Sequence, residues 1–144
     1  MGLILRHPDV DVNSRCRGTE RTALSYAISA GKLSTVELLL RHPKADAGSR
    51  DNAGKTPFHV AVDCRNMEAT ELLLHYRAVD GNLKDNTGRS PLSWAAGEGR
   101  TEIVNLFVSQ DGIEKNSRDN TGRSPLSWAT GEGRTDVVKL LVPQ

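Results

Sequence analysis

The chain has 144 residues, 37% of them hydrophobic, which is the length of one domain and a composition too apolar for a disordered segment. Its 19 Lys and Arg stand against 18 Asp and Glu, a net charge of +1, so no whole-chain field draws in nucleic acid or an anionic membrane. The two cysteines, Cys16 and Cys64, lie far apart and outside any Cys-x-x-Cys spacing, which is neither a disulfide framework nor a zinc site.

In chain order, the first element is the apolar run Leu3-Ile4-Leu5-Arg6, read as part of a helix. A helix is expected after Thr22, stopped at Gly31, and a second carries Val36, Leu39 and Leu40 at helical spacing. Asp51-Asn52-Ala53-Gly54-Lys55 reads as a turn, because Asp and Asn favour one and Gly takes a positive φ. Thr56 before Pro57 is an N-cap before a first helical residue: the hydroxyl accepts from a free backbone N–H, and proline has none to lose. That helix stops at Arg65-Asn66, and Ala69, Leu72 and Leu73 mark the next. The same order follows twice more. Turns at 85–89 and 119–123 precede caps at Ser90 and Ser124, stops at Gly97/Gly99 and Gly131/Gly133, and the runs Ile103-Leu106-Phe107 and Val137-Leu140-Leu141.

These segments are copies of one unit. Asp85 to Ala95 recurs unchanged as Asp119 to Ala129, an offset of 34 that also links Thr22, Thr56, Ser90 and Ser124. Leu3 to Pro8 matches Leu38 to Pro43 one residue off that period, which places one extra residue near Gly18-Thr19-Glu20. A period of about 20 to 50 residues indicates a stacked repeat architecture. The expected organisation is a single domain over 1–144, with a partial repeat at 1–15, full repeats at 16–50, 51–84 and 85–118, and a partial repeat at 119–144. With neither end a full repeat, the chain reads as a piece of a longer array.

The segment Thr56-Pro57-Phe58-His59-Val60-Ala61 resembles the Thr-Pro-Leu-His-x-Ala signature of the ankyrin repeat family. Serine replaces the histidine at Ser25, Ser93 and Ser127, and Ala23 replaces the proline. Tetratricopeptide repeats share the period, but they lack an Asp/Asn-Gly turn between units. The wording Ser-Pro-Leu-Ser-Trp-Ala-(Ala/Thr)-Gly-Glu-Gly is also similar to ankyrin arrays attached to nucleotide-binding (NACHT-type) signalling receptors of fungi. The resemblance implies an all-α solenoid of helix-turn-helix units joined by β-turn or hairpin loops, with a concave groove that holds a protein or peptide.

No catalytic constellation is visible, so no enzymatic activity and no cofactor or metal is expected. His59 is expected to hydrogen-bond the neighbouring turn rather than act as a base. In such a stack the residue after the signature histidine or serine points into the groove. Here it is Tyr26, Val60, Trp94 and Trp128, and large exposed aromatics are what binding hot spots are made of. The alternative is that each indole lies flat between adjacent first helices and seals the stack. Two charge rows are expected beside them: Arg21, Lys55, Arg89 and Arg123 before each N-cap, and Asp63, Glu98 and Glu132 near the first-helix ends, a pattern that would orient a peptide.

The expected function is therefore a protein-interaction scaffold, in the cytoplasm or nucleus, with no nucleic-acid or membrane partner. The competing expectation is an array that self-associates end to end through Leu3, Ile4, Leu5, Val138, Leu141 and Val142.

Overall fold

The computed structural model describes residues 10–76 and 79–142. The Leu3–Arg6 run lies outside the described residues. The described chain forms eight helices and no strand: α1 (Ala23–Ser29), α2 (Leu33–Leu40), α3 (Pro57–Asp63), α4 (Met67–His75), α5 (Pro91–Gly97), α6 (Thr101–Val108), α7 (Pro125–Gly131) and α8 (Thr135–Leu141).

The caps have local causes. Ser90 and Ser124 accept from the backbone N–H of Ser93 and Ser127, each at 3.2 Å, and Asn66 accepts from Ala69 N at 3.0 Å. The first helices end at a left-handed residue, Gly31 (φ 68), Gly99 (φ 72) and Gly133 (φ 68), a conformation that costs a Cβ-bearing residue free energy. Arg65 (φ 54) occupies the same place in its unit.

Each unit packs its two helices together, and the units then stack like on like. First helices α1, α3, α5 and α7 form one row; second helices α2, α4, α6 and α8 form another. The core runs continuously between the rows through Ile28, Val36, Leu39, Phe58, Leu73, Leu92, Phe107 and Val137, all almost fully buried. Phe58 and Phe107, from adjacent units, meet with ring centroids 5.6 Å apart.

The turns are joined without strands. Asn86 N donates to Ala53 O (3.0 Å) and its Nδ2 to Asn52 O (3.1 Å). Asn120 N donates to Thr87 O and its Nδ2 to Asn86 O, both at 3.0 Å. Asn52 makes the same pair of contacts to Thr19 and Gly18. One asparagine per unit thus links successive turn tips, and the first helices that follow start in register.

Candidate functional site

The turn tips and first helices carry most of the residues expected to bind a partner. In each turn an aspartate organises the loop. Asp85 Oδ1 accepts from Thr87 N (2.9 Å), Thr87 Oγ1 (2.6 Å) and Arg89 N (3.1 Å). Asp119 Oδ1 does the same with Thr121 and Arg123. The second carboxylate oxygen reaches the first helix: Trp94 Nε1 donates to Asp85 Oδ2 at 2.6 Å and Trp128 Nε1 to Asp119 Oδ2 at 2.8 Å. Burial pushes both carboxyls up, but these hydrogen bonds together outweigh it and hold both below the usual aspartate value. Both therefore remain anionic at neutral pH.

With its N–H held, each indole offers its two faces, and cations cover them. Lys55 Nζ lies 4.7 Å from the Trp94 ring centroid, and the Arg89 guanidinium lies 3.8 Å from the same centroid. Arg89 also stacks on Trp128 at 3.7 Å, and Arg123 follows at 4.8 Å. The result is an alternating column: Lys55, Trp94, Arg89, Trp128, Arg123. Cation–π contacts gain strength when desolvated, and Arg89 is only 7% exposed. Its Nη2 donates to Ser93 O at 2.9 Å. Burial lowers its pKa, while Asp85, Asp119, Glu98 and Glu132 act in the opposite sense.

Not every expected site residue takes part. Tyr26 is 42% exposed, with its hydroxyl 3.1 Å from Thr19 Oγ1. Val60, expected on the same face, is 1% exposed and belongs to the core, because a side chain that short is covered by the neighbouring helices where an indole reaches past them. The basic row is also not a free row: Arg21 pairs with Asp51 at 3.4 Å, Lys55 with Asp63 at 2.6 Å, and Arg89 is buried in the column. Of its four members, Arg123 is exposed and makes no ion pair among the described residues.

The acidic residues do not form one line. Asp63 stands one position off the 34-residue register of Glu98 and Glu132, so it turns to Lys55 of its own unit. Glu98 pairs with Arg100 at 2.7 Å, and Glu132 is exposed.

His59 accepts at Nδ1 from Thr56 N (3.1 Å) and Thr56 Oγ1 (2.9 Å), so its Nε2–H donates to Arg89 O of the next turn (2.8 Å). Burial holds its pKa below the usual value and keeps the ring neutral. It is a staple between units.

Sequence reasoning missed Asp85, Asp119 and Gly97. The aspartates carried a signal, since each precedes its tryptophan by the same nine positions. Gly97 carried none. A Cβ there would lie 2.8 Å from Arg89 Nη2 and 3.5 Å from Trp128 Cβ, so glycine lets the column close.

A family model described as ankyrin repeats (3 copies) matches residues 2–85 and again 71–144. Among curated proteins, none matches the chain.

Proposed function

Because the chain belongs to the ankyrin repeat family, whose members are in general non-catalytic protein–protein interaction modules, we propose that it holds a protein or peptide against the turn tips and first helices, the concave face of such an array. It does so without catalysis. The observation that carries this reading is the Lys55, Trp94, Arg89, Trp128, Arg123 column. Both indole N–H groups and most indole faces are already committed, so the half-buried rings are fixed in place before any partner arrives. A surface ordered in advance loses less entropy on binding. The partner then meets ring edges, the exposed Tyr26 and the Arg123 guanidinium. No described helix is long and apolar enough to cross a membrane.

The test is selection of binders from a displayed peptide library. Tyr26→Ala/Arg123→Ala removes exposed groups and is expected to keep the unfolding midpoint while losing the selected binders. Glu71→Ala/Lys139→Ala, on exposed positions of the second helices, is expected to keep them. Binders indifferent to the first pair and lost with the second would overturn the assignment of the face.

A further inference from the structure

The column has a regular order that one unit breaks. Each indole lies between the cation of its own turn and the cation of the turn before: Trp94 between Arg89 and Lys55, Trp128 between Arg123 and Arg89. Each donates its N–H to Oδ2 of its own turn aspartate. The second unit has the same setting without the ring. Arg21 and Lys55 stand at the two cation positions and Asp51 at the aspartate position, but Val60 holds the place of the indole.

The groups around Val60 show the difference. Asp51 Oδ1 accepts from Ala53 N and Lys55 N, both at 2.9 Å, as its counterparts do in their turns. Its Oδ2 is left with Arg21 Nε at 3.4 Å, beyond the roughly 2.7–3.2 Å of a well-formed N–H···O bond, although the Asp51 side chain is only 8% exposed. Arg21 lies over no aromatic ring among the described residues. Gly97 is buried against Trp128 of the next unit, whereas Ser29, at the Gly97 position two units earlier, faces the short Val60 and is exposed. A shallow cavity of about 390 Å³ lies beside Arg21 and Asp51, between the turn tips of Thr19 and Asn52.

We propose that this place takes a tryptophan side chain from a protein or peptide partner. The indole lies above Val60 between Arg21 and Lys55, and its N–H donates to Asp51 Oδ2, as Trp94 and Trp128 do in their own units. Arg21 gives up a long, partly exposed ion pair, which is a weak one, and gains a ring face. Lys55 keeps its bond to Asp63 at 2.6 Å and offers its ammonium to the second face, as it already does to Trp94. A ring with no N–H leaves the nearly buried Asp51 oxygen without a donor, so tryptophan is selected over phenylalanine. The proposal rests on the reading of this chain as a protein-interaction module, and it names the side chain that one point of the face selects.

Titration of the isotope-labelled 144-residue chain with the peptide Ser-Ser-Trp-Ser-Ser, followed by backbone amide chemical shifts, tests it. Saturable shifts are expected at Arg21, Ser29, Asp51, Lys55 and Val60. Methylating the indole nitrogen, or replacing the tryptophan by phenylalanine, is expected to weaken binding at least about ten-fold, the loss of one hydrogen bond to a charged group. Arg21→Ala is expected to weaken it roughly two- to five-fold, the loss of one exposed cation–π contact, and Arg123→Ala, at the far end of the column, to leave it unchanged. Val60→Trp supplies the ring from within the chain and is expected to abolish peptide binding; R21A decides the matter if that variant does not fold. A titration without saturable shifts, shifts centred on Trp94 or Trp128, equal affinity for the methylated indole, or no effect of R21A at an unchanged unfolding midpoint would overturn the proposal. If the library binders are still lost with Tyr26→Ala/Arg123→Ala in any of those cases, the binding face stands and only this subsite falls.

Discussion

Gly97→Ala and Gly131→Ala make the same change in almost the same sequence, Pro-Leu-Ser-Trp-Ala-(Ala/Thr)-Gly-Glu-Gly, and the structure predicts opposite signs. Both glycines are the last residue of a first helix, where alanine is favoured by about 0.5–1 kcal/mol. At Gly131 an added Cβ meets nothing within 4 Å, so that gain is expected in full. At Gly97 it would lie 2.8 Å from Arg89 Nη2, inside any real contact, and the guanidinium must move. Moving it breaks the bond to Ser93 O, about 1.5–3 kcal/mol for a charged donor. It also disturbs two indole stacks, about 0.5–2 kcal/mol each. Partial relaxation recovers some of this, which leaves Gly97→Ala destabilising by roughly 1–3 kcal/mol after the helix gain. The two variants should therefore differ by about 1.5–4 kcal/mol, read from urea unfolding followed by circular dichroism at constant m. Tryptophan emission should shift in Gly97→Ala alone, because both indoles border Arg89. Equal stabilisation by the two alanines would refute the argument, since it would mean that Arg89 is not held between the rings.

His59 carries a pH dependence. Its folded pKa lies below 6.5, chiefly through burial, so the unfolded chain binds the extra proton first. The stability it contributes is complete above about pH 6.5 and is lost as pH falls through the folded value. His59→Ser, the residue found in the other units, should flatten that slope in a pH series of urea midpoints and cost about 1–3 kcal/mol at pH 8; an unchanged slope would rule out a buried neutral ring. Arg65→Gly should raise thermal stability. It removes a left-handed conformation worth about 1–2 kcal/mol and returns about 0.5–1 kcal/mol of chain flexibility, a net gain of about 0.5–1 kcal/mol. A lowered melting temperature would mean that the Arg65 side chain contributes more than its backbone costs.

Some of this was legible in the letters because it is local chemistry. The Thr or Ser caps, the prolines behind them, the Asp-Asn-x-Gly turns and the left-handed stops act within four or five residues. Reading them once and repeating them every 34 residues determined the eight described helices and their order. His59 was legible for the same reason, since its Nδ1 caps its own helix and leaves Nε2 for the next turn.

What a residue meets across the stack is a different matter. Val60, Trp94 and Trp128 share one register, but side-chain length decides that the first is core and the others reach the surface. Arg89 and Arg123 have identical neighbours in sequence, yet one lies buried between two indoles and the other stacks on one and stays exposed. Gly97 and Gly131 differ in the same way. The local sequence determined the unit; only packing of one unit on the next decided which charges are neutralised and which rings are covered. Desolvation and contact depend on atoms a whole repeat away along the chain, which no pattern within a unit contains.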